Sequence, residues 1–163
     1  MARPIIKIEW STVDWLLEGI TLFIFLGIVV FTILQYQDLP NRIPTHFGAN
    51  GSANSFGSKS TLWILFGVNF GMYVLLSAVS KIPHHFNYLV TITENNAHRQ
   101  YTIALRMMRT LKLMVVLSFG YILVRTVVVA NDESTSLGIW FLPMFLTTFF
   151  VPFLFYIVIS KNK

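Results

Sequence analysis

The sequence predicts an all-α polytopic integral membrane protein, with four transmembrane helices and an ordered extracytoplasmic loop between the first two. Three observations carry this. The 163 residues are 55% hydrophobic and 12% charged, with a mean hydropathy of +0.64, too apolar for a soluble domain of ordinary usage. Four nearly uncharged runs have the length, roughly 20 residues, that a helix needs to cross a bilayer core about 30 Å thick. Between the first two runs lies a segment, 35–59, too dense in proline, glycine and aromatic residues to be a plain linker. Cysteine is absent, which excludes disulfides and thiolate metal sites. The net charge of +5 does not point to nucleic acid, because Lys and Arg sit at the edges of apolar runs with no basic block or RNA-binding motif.

The elements form a single membrane domain, 1–163, packed as a four-helix bundle. The first span, about 15–34, holds one charge, Glu18, near its start. It is too long and too poor in small-x-small cleavage signals for a removed signal peptide, and reads as a retained anchor. The second span, about 60–80, has no charge. The third, about 111–130, has Lys112 at its entry and Arg125 near its exit. The fourth, about 137–159, contains Pro143 and Pro152; Pro152 leaves the Thr148 carbonyl without its helical donor, which predicts a bend.

Lys and Arg accumulate in cytoplasmic loops of membrane proteins. Arg3, Lys7, Lys81, Arg99, Arg106, Arg109, Lys112, Lys161 and Lys163 fall on one side of these spans, and Arg42, Lys59 and Arg125 on the other. Both termini and an arm over 81–110 are therefore expected in the cytoplasm, with the loop 35–59 and the turn 131–134 facing outward.

Polar residues within the spans are functional candidates by default. Glu18, four residues after Asp14, lies at a depth where Arg106, Arg109 or Lys112 neutralises it. Arg125 lies where its guanidinium reaches Asp38, Asp132 or Glu133. Asn69 stands in Gly67-Val68-Asn69-Phe70-Gly71, a small-xxx-small spacing that suits close helix approach; Ser118, Tyr121, Thr147 and Thr148 are candidate partners for its amide. In the arm, Thr91-Ile92-Thr93-Glu94 has capping-box spacing, and a helix from there to Ala130 would be about 55 Å long. On it His98, Arg99, Arg106, Arg109 and Lys112 fall on one face and Ala97, Ala104, Met107, Met108 and Leu111 on another, with Leu105 an exception on the basic side. That face suits anionic lipid or plain positive-inside topology. His84 and His85 are adjacent and do not form a helical zinc pair.

In the outward loop, Pro40 and Pro44 fix their own φ and push Leu39 and Ile43 toward extended backbone, so Leu39-Pro40-x-x-Ile43-Pro44 is expected to form a stiff strand-like rod with His46 just past it. Gly48, Gly51 and Gly57 supply turns. Leu39, Ile43, Phe47 and Phe56 are expected to fold onto the helix ends, and Lys59 to anchor at the interface.

The pattern Leu39-Pro40-x-x-Ile43-Pro44-x-His46-Phe47, followed by Gly51, Asn54, Gly57 and Lys59, resembles the signature loop of the bacterial membrane family known as domain of unknown function 1648. That family includes the N-terminal part of SdpI-type immunity proteins, which protect a cell against a secreted killing peptide. Phe86-Asn87-Tyr88, Ile92 to Ala97 and Arg99-Gln100-Tyr101 also resemble four-span members. The resemblance implies a bacterial cytoplasmic (inner) membrane location. It differs at Asn54, where aspartate is common, and Phe56, where tryptophan is common; losing that carboxylate leaves His46 with Asp38 as its nearby anion and argues against a divalent metal.

No nucleophile elbow, Ser/His/Asp set or phosphate loop is present, so neither enzymatic chemistry nor a cofactor is expected. The leading expectation is a non-enzymatic membrane protein that binds an extracytoplasmic partner or peptide through Leu39, Pro40, Ile43, Pro44, His46, Phe47, Gly51, Asn54 and Lys59. The alternatives are a small transporter or ion-coupled channel using Glu18, Asn69 and Arg125, or an accessory subunit of a larger membrane complex. Homo-oligomerisation is compatible with all three.

Overall fold

A computed structural model describes residues 3–131 and 136–161. Helix α1 covers Thr12–Tyr36, strands β1 and β2 cover Arg42–Phe47 and Ala53–Ser58, α2 covers Thr61–Val79, α3 covers Ala97–Asn131 and α4 covers Phe141–Lys161. All four helices are long and apolar enough to cross a membrane, and the chain has the build of a multi-pass membrane protein. Large apolar side chains such as Phe23, Leu34, Ile64, Phe150 and Phe155 stand exposed, as lipid-facing residues do.

The fold is not all-α. The segment between α1 and α2 forms a two-stranded antiparallel hairpin, because the two prolines favour extended backbone there and the glycines allow the chain to reverse.

The helices also depart from a symmetric bundle: α1, α2 and α4 each pack on α3, which is the hub. Two stripes explain the α1–α3 seam. On α1, Asp14, Thr21, Phe25, Ile28 and Thr32 are buried at intervals of three, four or seven residues. On α3, Tyr101, Leu105, Arg109, Lys112, Val116, Leu123 and Val127 do the same. Gly120 lets the two backbones approach, since a Cβ there would lie 2.3 Å from Ile28 Cδ1. Phe25 then stacks against Phe66, Phe70 and Tyr73 of α2.

The helix ends are closed in specific ways. Ser11 and Asp14 form a capping box at the start of α1, with Asp14 N–H donating to Ser11 Oγ (3.4 Å) and Ser11 N–H to Asp14 Oδ2 (2.9 Å). The box expected at Thr91 and Glu94 is replaced: α3 begins at Ala97, and the Asn96 amide accepts from Thr93 N–H (2.9 Å) and donates to Thr91 O (3.0 Å). A shorter side chain nearer the first turn reaches those groups directly. At the far end of α4, Arg99 and Gln100 of α3 donate to the Ile159 and Ser160 carbonyls at 3.1 and 3.0 Å, filling acceptors that a helix terminus leaves open. Pro143 falls in the first turn of α4, where its missing N–H costs nothing, while Pro152 lies inside the helix. The turn expected over 131–134 falls, apart from Asn131, outside the described residues, as do Asp132, Glu133 and Lys163.

Candidate functional site

The hairpin is joined to the helices from both sides. Leu39 and Ile43, 4% and 1% exposed, enter the core with Leu62, Val116, Leu123 and Val127. Lys59 Nζ donates to the carbonyls of Leu39 (3.2 Å) and Tyr36 (3.4 Å) at the C-terminal end of α1, and lies 5.1 Å from the Tyr36 ring centre. A cation is favoured at a helix C-terminus, so Lys59 fastens β2 to α1. At the hairpin tip Gly51 has φ +80°; a Cβ there would lie 2.8 Å from Gly138 O, and Leu137 N–H donates to Gly51 O at 2.7 Å.

Two irregularities shape the exposed edge. The register pairs Pro44 with Phe56, His46 with Ser55 and Phe47 with Ala53, which leaves Thr45 and Asn54 as the extra residues of two bulges. A bulge breaks the period of two, so Ile43 and Pro44 are both buried while Thr45 and His46 are both exposed. Pro44, lacking an N–H, suits such a position. The bulged Asn54 meets His46, with Nδ1 and Oδ1 2.6 Å apart. An amide oxygen only accepts, so in this contact Nδ1 carries the proton and donates it to Oδ1, which leaves Nε2 outside the contact. Asn54, not Asp38, is thus the partner of His46. Below this edge a cleft of about 260 Å³ runs between β1 and the ends of α2, α3 and α4, lined by Phe47, Leu65, Ile122, Leu137 and Phe141 with His46 at its rim. Pro40 is exposed beside the buried Leu39. Phe56 is 50% exposed and does not fold onto the helix ends.

The opposite end, where both termini lie, holds the ionic residues. Asp14 is 1% exposed and accepts from Arg109 Nη1 at 2.7 Å, with Arg106 Nε 3.7 Å away. Glu18 accepts from Lys112 Nζ at 2.6 Å and lies 3.5 Å from Arg109 Nε. Lys112 also donates to Ser77 Oγ at 2.9 Å and sits over the Tyr73 ring, and Arg109 sits over Trp10. Arg109 and Lys112 therefore do not belong to a solvated basic face: they continue the buried stripe of α3, in register with the exceptional Leu105. The segment before α1 folds over this end. Arg3 donates to the carbonyls of His84 and Phe86, and Tyr101 Oη donates to Pro4 O at 3.0 Å. Burial pushes the Tyr88 phenol well above its ordinary pKa, and its hydroxyl donates to Pro83 O at 2.9 Å.

The intramembrane candidates are not brought together. Glu18 lies at the termini end, while Arg125 lies at the hairpin end and donates to Ser136 O. Asn69 is fully buried, yet neither amide atom has a hydrogen-bond partner among the described residues. Two of its four expected partners are engaged elsewhere: Tyr121 Oη donates to Leu137 O and Thr147 Oγ1 to Pro143 O. Gly67 and Gly71 have open space beside them, so within this chain they serve no close helix approach. Among the described residues no group of three or more His, Asp or Glu side chains is placed to hold a metal ion. Ser11, Trp10 and Ser77 were missed by sequence reasoning; the Ser-x-x-Asp spacing ahead of an apolar run was the available signal for the first.

A protein of Archaeoglobus fulgidus described as uncharacterized is 47% identical over 36 residues, 22% of this chain and 20% of the relative, so the chain spans about a fifth of that protein's length. No solved structure matches the chain. Residues 22–70, running from α1 through the hairpin into α2, match the family described as a domain of unknown function, DUF1648. The match leaves α3 and α4 outside it.

Proposed function

We propose that this protein is a non-enzymatic membrane receptor whose hairpin, ordered and facing out of the cytoplasm, binds an extracytoplasmic peptide or protein segment. The carrying observation is the join between an exposed polar edge and an apolar cleft: His46, held by Asn54, stands at the rim of a space of about 260 Å³ walled by Phe47, Leu65 and Phe141. A pocket that is mostly apolar with a few placed polar groups suits one aliphatic or aromatic side chain, oriented by a hydrogen bond to His46 Nε2. The distribution of Lys and Arg supports an orientation with both termini in the cytoplasm. The resemblance to SdpI-type immunity proteins supports an exported peptide as the ligand and a bacterial inner membrane as the location.

A photocrosslinker at position 46, used in native membranes, is expected to capture a partner that the same probe at position 161 does not. Partner binding that survives combined His46→Ala and Phe47→Ala substitution would refute the reading.

A further inference from the structure

The termini end contains a second cavity, of about 440 Å³, that the hairpin does not use. Its floor is Arg109 and Lys112, both more than nine-tenths buried, together with Glu18. Ser77 and Ser80 line one side, and Lys7 and Lys81 stand exposed at the rim. The Glu18 carboxylate is occupied, one oxygen by Lys112 and the other facing Arg109. Neither Lys7 nor Lys81 forms an ion pair among the described residues. The lining thus holds one acid, Glu18, and four cations, Lys7, Lys81, Arg109 and Lys112, and Asp14 behind it pairs with Arg109, so the cavity has an excess of positive charge. The opening also has an apolar lip: Ile6 and Trp10 line the cavity while 36% and 45% exposed, and Ile5 beside them is 80% exposed. A soluble anion has no use for such a lip. An amphiphile does.

We infer that this cavity binds the headgroup of an acidic phospholipid, its phosphate held between Lys7 and Lys81 above the Arg109 and Lys112 floor, and its chains leaving past Ile6 and Trp10. Basic pockets between transmembrane helices select anionic headgroups because the charge is met in a partly desolvated site, where attraction is screened less than at an open surface. The inference is independent of what the hairpin binds.

The test uses the full chain reconstituted in phosphatidylcholine, with spin-labelled phosphatidylglycerol or spin-labelled phosphatidylcholine as probe and the motionally restricted fraction as readout. Phosphatidylglycerol is expected to be held preferentially, and Lys7→Gln with Lys81→Gln to reduce that preference about fivefold per lysine. Both lysines are exposed, so folding is not at stake. Lys161→Gln removes one charge at the same end outside the cavity and is expected to leave the preference unchanged, the comparison being made with Lys7→Gln and Lys81→Gln each introduced singly. Equal losses in Lys161→Gln and in the single cavity variants would reduce the effect to general surface charge and overturn the site. Equal retention of the two lipids would also overturn it. Displacement of the labelled lipid by inorganic phosphate would assign the cavity to a soluble anion and overturn the lipid assignment.

Discussion

The two ends of α3 are held by opposite means. At the termini end, Arg109 and Lys112 reach Asp14 and Glu18 across the α1 seam at 2.7 and 2.6 Å. At the hairpin end, Leu123 and Val127 meet Leu39, Ile43 and Leu62 with no charge among them. A buried ion pair gives up hydration and recovers it only when both partners are in place, so it tolerates little change in either one. An apolar contact depends on volume, and another side chain of similar size can serve. The termini end should therefore respond to single charge deletions, and the hairpin end to cavities.

Substitutions at the two ends and between them break or sharpen this contrast. Arg109→Ala leaves Asp14 buried without its main partner and is expected to cost about 3–5 kcal/mol, read by equilibrium unfolding in detergent micelles. Asp14→Leu combined with Arg109→Met should cost clearly less; an equal cost would mean that the charge itself, not pairing, is required. Ile43→Ala opens a void at the hairpin base and should cost about 2–5 kcal/mol, whereas Ile43→Leu should stay below about 1.5 kcal/mol. Gly120→Ala, midway between the two ends, forces a methyl against Ile28 and should cost about 1–3 kcal/mol, with partial rescue by Ile28→Val, which removes the clashing Cδ1. His46→Ala should be mildest, about 1 kcal/mol or less, since the ring is exposed and loses one hydrogen bond. A large destabilisation there would make His46 a structural clamp and weaken its role in recognition.

Much of the architecture was readable from the chain because membrane spans are specified by length and apolarity. The α1 boundaries were off by two or three residues, and α4 starts four residues later than its span, past the Gly138 turn that docks on Gly51. Leu39, Ile43 and Lys59 could be named as anchors since proline spacing and apolarity single them out. The His46–Asn54 contact was not readable. It depends on two bulges, and a bulge erases the alternation from which strand faces are inferred. The basic face of α3 misled for a related reason: by charge, Arg109 and Lys112 group with Arg106, but by angle they group with Leu105 and Val116, and only the acids on α1 make that burial tolerable.

By itself, then, the sequence determined four apolar spans, a proline-framed segment between the first two, and the placing of cations toward the ends. These are local quantities, set by composition and by the conformational limits of proline and glycine. Only the tertiary structure decided which helix is the hub, that the loop is a doubly bulged hairpin, and that two acids on α1 meet two cations on α3 inside the seam. Those outcomes depend on which faces meet across long stretches of chain, and a buried charge shows its partner only once both helices are in place.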